Sequence, residues 1–137
     1  MELEISRREK EGITILDLKG PLTAGQAATA LRDALRTNLA GGSKKVILNL
    51  AEVEHIDSTG LGAMVMCFTG LRKSAGRLVL LHLNRRHLEL LVLTKLSTVF
   101  EIFDDEQQAV NSFFPNRQIR HFDILRFIEQ QRSDAEE

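Results

Sequence analysis

Hydrophobic positions along this chain switch between a period of two and a period near four, and each switch marks an element boundary. Leu3 and Ile5 alternate with polar residues until Glu11-Gly12, and Ile13, Ile15 and Leu18 resume the alternation. Two strands joined by a turn at Gly12 fit this stretch. Gly20-Pro21 ends the second strand. Ala27, Leu31, Leu35 and Leu39 then recur at i, i+4 and predict a helix. Thr23 is its expected N-cap, Gln26 three residues on completes a capping box, and Gly41-Gly42 stops it. Val46-Ile47-Leu48-Asn49-Leu50 is almost continuously apolar, as in a strand covered on both faces. Leu61, Met64, Val65, Phe68 and Leu71 mark a second helix, with Gly76 expected at its end. Leu78 to Leu81 reads as another buried strand. Leu88, Leu91 and Val92 suggest a short helix, and Phe100 to Phe103 a last strand. Asp104 or Asp105 can cap a final helix carrying Ala109, Val110 and Phe113.

The resulting order is β-β-α-β-α-β-α-β-α. Strands alternating with helices imply an α/β fold with a mixed, mostly parallel sheet and right-handed crossovers, the first strand pairing antiparallel through its short turn. No internal repeat or low-complexity linker divides the chain. Past Pro115 the pattern changes: Ile119, Phe122, Leu125 and Ile128 share one helical face, with Ile124 and Phe127 beside it. The reading is therefore one domain over 1–114 and a helical, amphipathic extension over 115–137. Two roles stay open for the extension. It packs back on its own domain, or it docks a partner, a second copy forming a homodimer among them.

Bulk composition narrows the function. With 137 residues, 43% hydrophobic and 27% charged, the chain suits one globular core. A formal net charge of -1 and the absence of Trp and Tyr argue against nucleic acid as a partner. Lys44-Lys45 and Arg85-Arg86 are short basic pairs of the kind found on solvated surfaces. The only cysteine, Cys67, falls in an apolar helix and is expected to be a buried, inert thiol. The first residues lack the basic and apolar regions of a signal peptide, and no apolar run reaches membrane-spanning length. A cytoplasmic, soluble protein is expected. His55, His82, His87 and His121 show no metal-ligand spacing, so no metal and no cofactor are expected.

The chemistry concentrates at Asp57-Ser58-Thr59-Gly60-Leu61-Gly62, between the Val46–Leu50 strand and the second helix. A hydroxyl is set at a helix N-terminus beside a carboxylate, with two glycines that leave the backbone open. His55, Asp57 and Ser58 are the residue types of a hydrolase triad, but sequence proximity does not make one, and the Gly-x-Ser-x-Gly elbow is missing. No lysine follows the glycines, so this is no P-loop. As a plain strand-to-helix junction, Asp57 or Ser58 would cap the helix, Gly60 would relax its first turn, and Gly62 would let it approach its strand. That account leaves unexplained why caps, hydroxyls and glycines cluster where open α/β sheets place their ligand and partner sites. Met64 is expected in the core and Met66 outside it.

Over about residues 3–114 the chain resembles the STAS domain, in particular bacterial anti-sigma-factor antagonists. The likeness is carried by Gly20 after the second strand, by Val46-Ile47-Leu48-Asn49-Leu50, by His55-Ile56-Asp57-Ser58-Thr59-Gly60-Leu61-Gly62 as the phosphorylation loop, and by Gly76 ahead of the next strand. The resemblance implies a non-enzymatic regulator that works by partner switching. An unmodified antagonist binds an anti-sigma factor with serine kinase activity and so frees the sigma factor. Phosphorylation of the serine matching Ser58 ends that binding, and a PP2C-type phosphatase resets it. Asp57, Ser58, Thr59, Gly60, Leu61, Gly62 and Thr23 become the expected partner-binding residues. The chain departs from the family at Thr23, where phosphorylated members commonly carry an aspartate near the serine; a threonine supplies no charge there. The alternative is a STAS scaffold, such as an accessory subunit of a transporter, that binds its partner without phosphorylation.

Overall fold

The computed structural model describes residues 2–119, 124, 127 and 128. A five-stranded sheet runs in the order β1-β2-β3-β4-β5. Its strands are β1 (Glu4–Lys10), β2 (Ile13–Lys19), β3 (Lys45–Glu52), β4 (Arg77–Leu81) and β5 (Glu101–Phe103). The helices are α1 (Gln26–Ala40), α2 (Ser58–Lys73), α3 (Arg85–Leu93) and α4 (Glu106–Asn111), with a 3-10 turn at Leu96–Thr98. β1 pairs antiparallel with β2, from Glu4 opposite Lys19 to Lys10 opposite Ile13. Every other pairing is parallel. The mixed α/β architecture and the element order read from the sequence both hold. The hairpin turn does use Gly12, with Glu11 beside it, both at positive φ (82° and 54°).

The period-two pattern of the strands divides the core in two. Leu16, Leu18, Val46, Leu48, Leu50, Leu78, Leu80 and Ile102 point to the face covered by α1, α2 and α3. Ile13, Ile15, Ile47, Val79, Leu81 and Phe103 point to the other, where α4 supplies Ala109 and Val110. The short α4 covers only part of that second face. Beyond it the sheet turns polar: Asn49 donates to Asp17 at 2.7 Å, and Arg8 forks onto Asp17 and reaches Glu106. The expected apolar stripe of α2 is buried at Leu61, Met64 and Leu71, while Met66 faces solvent. Cys67 is buried, and burial pushes its thiol up to about 11.

Two boundary expectations fail, for physical reasons. Thr23 does not cap α1: the helix starts at Gln26 behind Gly25 (φ 98°), with no side-chain cap. The chain at 22–24 is already committed elsewhere, Leu22 bridging to Ile56 and the Ala24 N–H donating to Asp57. Gly76 does not end α2, which closes at Lys73 with Ser74 as cap and Ala75 in the left-handed region (φ 60°). Gly76 is needed one step later, because a Cβ there would lie 2.6 Å from the Lys44 carbonyl oxygen. In the extension, Ile128 is buried in the larger core cluster, and Ile124 and Phe127 pack partly against it. Ile119 packs on the opposite face. Phe122, Leu125 and His121 lie outside the described residues.

Candidate functional site

β3 ends at Glu52, and a five-residue connector, Val53 to Asp57, carries the chain to Ser58, the first residue of α2. The connector runs beside the β2–α1 loop and is stitched to it, extending the β2/β3 pairing beyond the sheet. The Gly20 N–H donates to the Glu52 carbonyl (3.1 Å), the Leu22 N–H to that of His55 (2.9 Å), and the Asp57 N–H to that of Leu22 (3.3 Å). Leu22 is fully buried and pairs in parallel with Ile56.

Asp57 is the N-cap of α2. Its Oδ1 accepts from the Gly60 N–H at 2.8 Å and its Oδ2 from the Ala24 N–H at 2.9 Å. One carboxylate thus closes the helix start and clamps the neighbouring loop. Those donors, Gly60 foremost, hold the Asp57 carboxyl below its ordinary range, so it stays ionised well into acid. Both Asp57 oxygens are thus engaged within the chain, in a carboxylate that still reaches solvent.

The close approach expected at Gly62 falls at Gly60 instead, and against the β2–α1 loop. Gly60 is buried, and a Cβ on it would fall 1.9 Å from the Leu22 carbonyl oxygen. No side chain fits, so Gly60 is what lets α2 begin against the β2–α1 loop. Gly62 faces outward, and a Cβ placed on it would meet nothing within 4 Å. Leu61 is buried in the main core. Of the expected contact residues, then, Gly60 and Leu61 are buried and build the site from inside.

What remains at the surface is Ser58, Thr59 and Gly62, with Met66 one turn further along α2 and 57% exposed. Among the described residues, nothing in the chain engages the Ser58 hydroxyl. It stands at the first position of a 16-residue helix, where the macrodipole and free N–H groups favour added negative charge. Thr23, half-buried, lines a neighbouring cleft of about 320 Å³ with Glu2, Leu3, Pro21, Ala24 and Gln26. No cluster of three metal-ligating side chains occurs among the described residues. No described helix is long and apolar enough to cross a membrane.

Three supports escaped the sequence reading. Leu22 and Ala24 act through backbone groups that no side chain advertises. The third, His87 of α3, reaches the connector with Nε2 at 3.3 Å from the Glu54 carbonyl oxygen. Its spacing of four from Leu91 placed it on the buried stripe of α3, which was the available signal.

An open hydroxyl on a helix start, at the carboxyl end of β3 and beside the β2–α1 loop, makes the head of α2 the candidate site of this α/β fold. Similarity to known proteins gives its family. The STAS domain family model matches residues 4–109, so the chain belongs to the STAS family. An anti-sigma-B factor antagonist of Listeria monocytogenes is 33% identical over 102 residues, covering 74% of this chain and 88% of that protein. A crystal structure from Thermotoga maritima, of a candidate anti-sigma factor antagonist, superposes with a TM-score of 0.74 at 26% identity, covering 79% of this chain and 92% of that one. The phosphorylated form of the Bacillus cell fate determinant SpoIIAA shares the fold, with a TM-score of 0.63 at 20% identity, covering 80% and 99%. Within the STAS family this chain stands with the anti-sigma factor antagonists.

Proposed function

We propose that this chain is a cytoplasmic partner-switching regulator of transcription, itself not an enzyme. Unmodified, the Ser58 end of α2 docks on an anti-sigma factor that is also a serine kinase. The kinase phosphorylates Ser58, the complex parts, and a PP2C-type phosphatase restores the hydroxyl. The observation that carries this reading is the Ser58 side chain itself, exposed and unengaged on a helix start that Asp57 caps and ties to the β2–α1 loop.

The electrostatics support it. Phosphate adds about -1.5 to -2 charge and three acceptor oxygens. The N-terminus of α2 tolerates that charge within this chain. A partner surface packed against Ser58, Thr59 and Gly62 would have to desolvate it beside ionised Asp57. A coupling of about 1–3 kcal/mol changes affinity about 5- to 150-fold, with no refolding. Incubation with a cognate anti-sigma kinase and ATP, followed by mass spectrometric mapping, tests the assignment. Phosphate on Ser58 that vanishes in Ser58→Ala supports it; phosphate elsewhere, or none, overturns it.

A second reading has one observation behind it. Thr23 stands where phosphorylated relatives commonly carry an aspartate, which favours a STAS scaffold that binds its partner, such as a transporter subunit, without modification. Undiminished partner binding by Ser58→Asp would select that reading.

A further inference from the structure

His87 is 3% exposed and is the third residue of α3. Its own backbone N–H is held by the Asn84 cap at 2.9 Å. The ring crosses to the connector, where its Nε2 meets the Glu54 carbonyl oxygen at 3.3 Å. A carbonyl only accepts, so Nε2 carries the hydrogen. The neutral ring then has a bare Nδ1, and that atom is buried with no partner among the described residues. A buried polar atom left unpaired costs stability and calls for an explanation.

We infer that His87 is a proton-sensitive positioning residue for the Ser58 segment: neutral, it pins the connector to α3, and protonation at Nδ1 loosens that clasp. Its consequence for partner binding rests on the docking reading of Ser58 given above. The connector has few other ties on this side. The β2–α1 loop grips Glu52, His55, Ile56 and Asp57, and the Glu54 carbonyl is the point held from α3. A second proton would place an N–H where no acceptor waits and a charge where no carboxylate answers it. The nearby titratable group that acts on the ring is His55 of the connector, whose charged form opposes a charged His87. On α3, Arg85 is tied to Glu89 at 2.9 Å and Arg86 is exposed. Burial, the largest effect, lowers the His87 pKa from its ordinary value. The Glu54 carbonyl, which favours the charged donor, offsets this only in part, so the cost of burying the charge is what drives the protonated ring out of the clasp. The clasp is closed above the ordinary histidine range and opens on the acid side of it.

The test uses the full chain, with histidine nitrogen and backbone amide NMR recorded between about pH 5 and pH 8. It is run in a His55→Asn background, so that one neighbouring titration is removed. The expected result is an Nε2–H tautomer for His87, a midpoint below that of free histidine, and Glu54 to Gly60 amides that shift with it. His87→Gln keeps an N–H donor without a charge, and should leave those amides near their neutral-pH positions but flat with pH. His87→Leu should displace them at every pH. A His87 titrating at the ordinary value, or connector amides that move identically in His87→Gln, overturns the clasp. Binding to the anti-sigma kinase is measured separately. Affinity falling several-fold on acidification in wild type but not in His87→Gln supports the link to docking. A pH-sensitive connector in a chain that binds no anti-sigma factor at any pH overturns the docking reading and upholds the clasp.

Discussion

The Asp57 carboxylate and the Ala24 backbone N–H lie 2.9 Å apart, across two loops that carry no other side-chain link among the described residues. Through the same carboxylate the Gly60 N–H is capped. Asp57 is therefore the hinge pin of the site, and its charge is the reason it works. Replacing it with alanine frees two backbone donors at once. Asp57→Ala should lower the melting temperature and speed amide exchange several-fold at both Ala24 and Gly60, while Asp57→Asn should fall between alanine and wild type. A loss of protection at Gly60 alone would show that the bridge to Ala24 contributes nothing.

The pH dependence of that pin has a definite sign. The folded-state pKa of Asp57 is depressed, so its contribution is present above the unfolded-state value and is lost as pH falls through the folded one. The part of Ala24 and Gly60 amide protection that Asp57→Asn removes should hold through weakly acidic conditions and fall only below about pH 4, the ordinary aspartate range. Loss of protection already near neutrality would mean that another group governs the loop.

Gly60 and Gly62 make opposite predictions although one turn of helix spans both. A methyl at Gly60 collides with the Leu22 carbonyl, which is backbone and cannot swing aside. Gly60→Ala should cost about 1–3 kcal/mol, the usual range for overpacking. Gly62 is open, and alanine there should stabilise the chain by up to about 1 kcal/mol through helix propensity. If Gly62 lies under a docked partner, the same Gly62→Ala chain melts higher and binds more weakly. Chemical denaturation and titration calorimetry on one preparation separate the two effects, and equal binding by Gly62→Ala would remove that residue from the docking surface.

The extension contributes to the core through Ile128, which is buried with residues of the main cluster. Ile128→Ala should cost about 2 kcal/mol or more, as large-to-small core changes do. Truncation after Phe114 should expose apolar surface, lowering the melting temperature or raising the solution mass. Unchanged melting and mass in the truncated chain would show that the packing of Ile119, Ile124, Phe127 and Ile128 carries no stability.

Much of this was legible from periodicity. The strands and helices came from runs that leave little choice of period, and the cap of α2 narrowed to Asp57 or Ser58 because an acidic residue, two hydroxyls and a glycine precede an apolar helical stripe; the structure selects Asp57. The misreadings share a cause, contacts between segments distant in sequence. Thr23 and Gln26 form a good local capping box, yet the pairing of Leu22 with Ile56 delays the helix past it. The roles of Gly60 and Gly62 depend on where Leu22 passes, which no pattern within α2 encodes. His87 sat on an apolar stripe that told of burial but not of the carbonyl it would meet.

Whether charge at Ser58 gates recognition is decided most directly by one comparison of affinities. The chain, unmodified and carrying phosphoserine at 58, is titrated against its cognate anti-sigma kinase. Binding by the unmodified form and a loss of about 5- to 150-fold on phosphorylation is the expected result. Equal affinity of the two forms would contradict it.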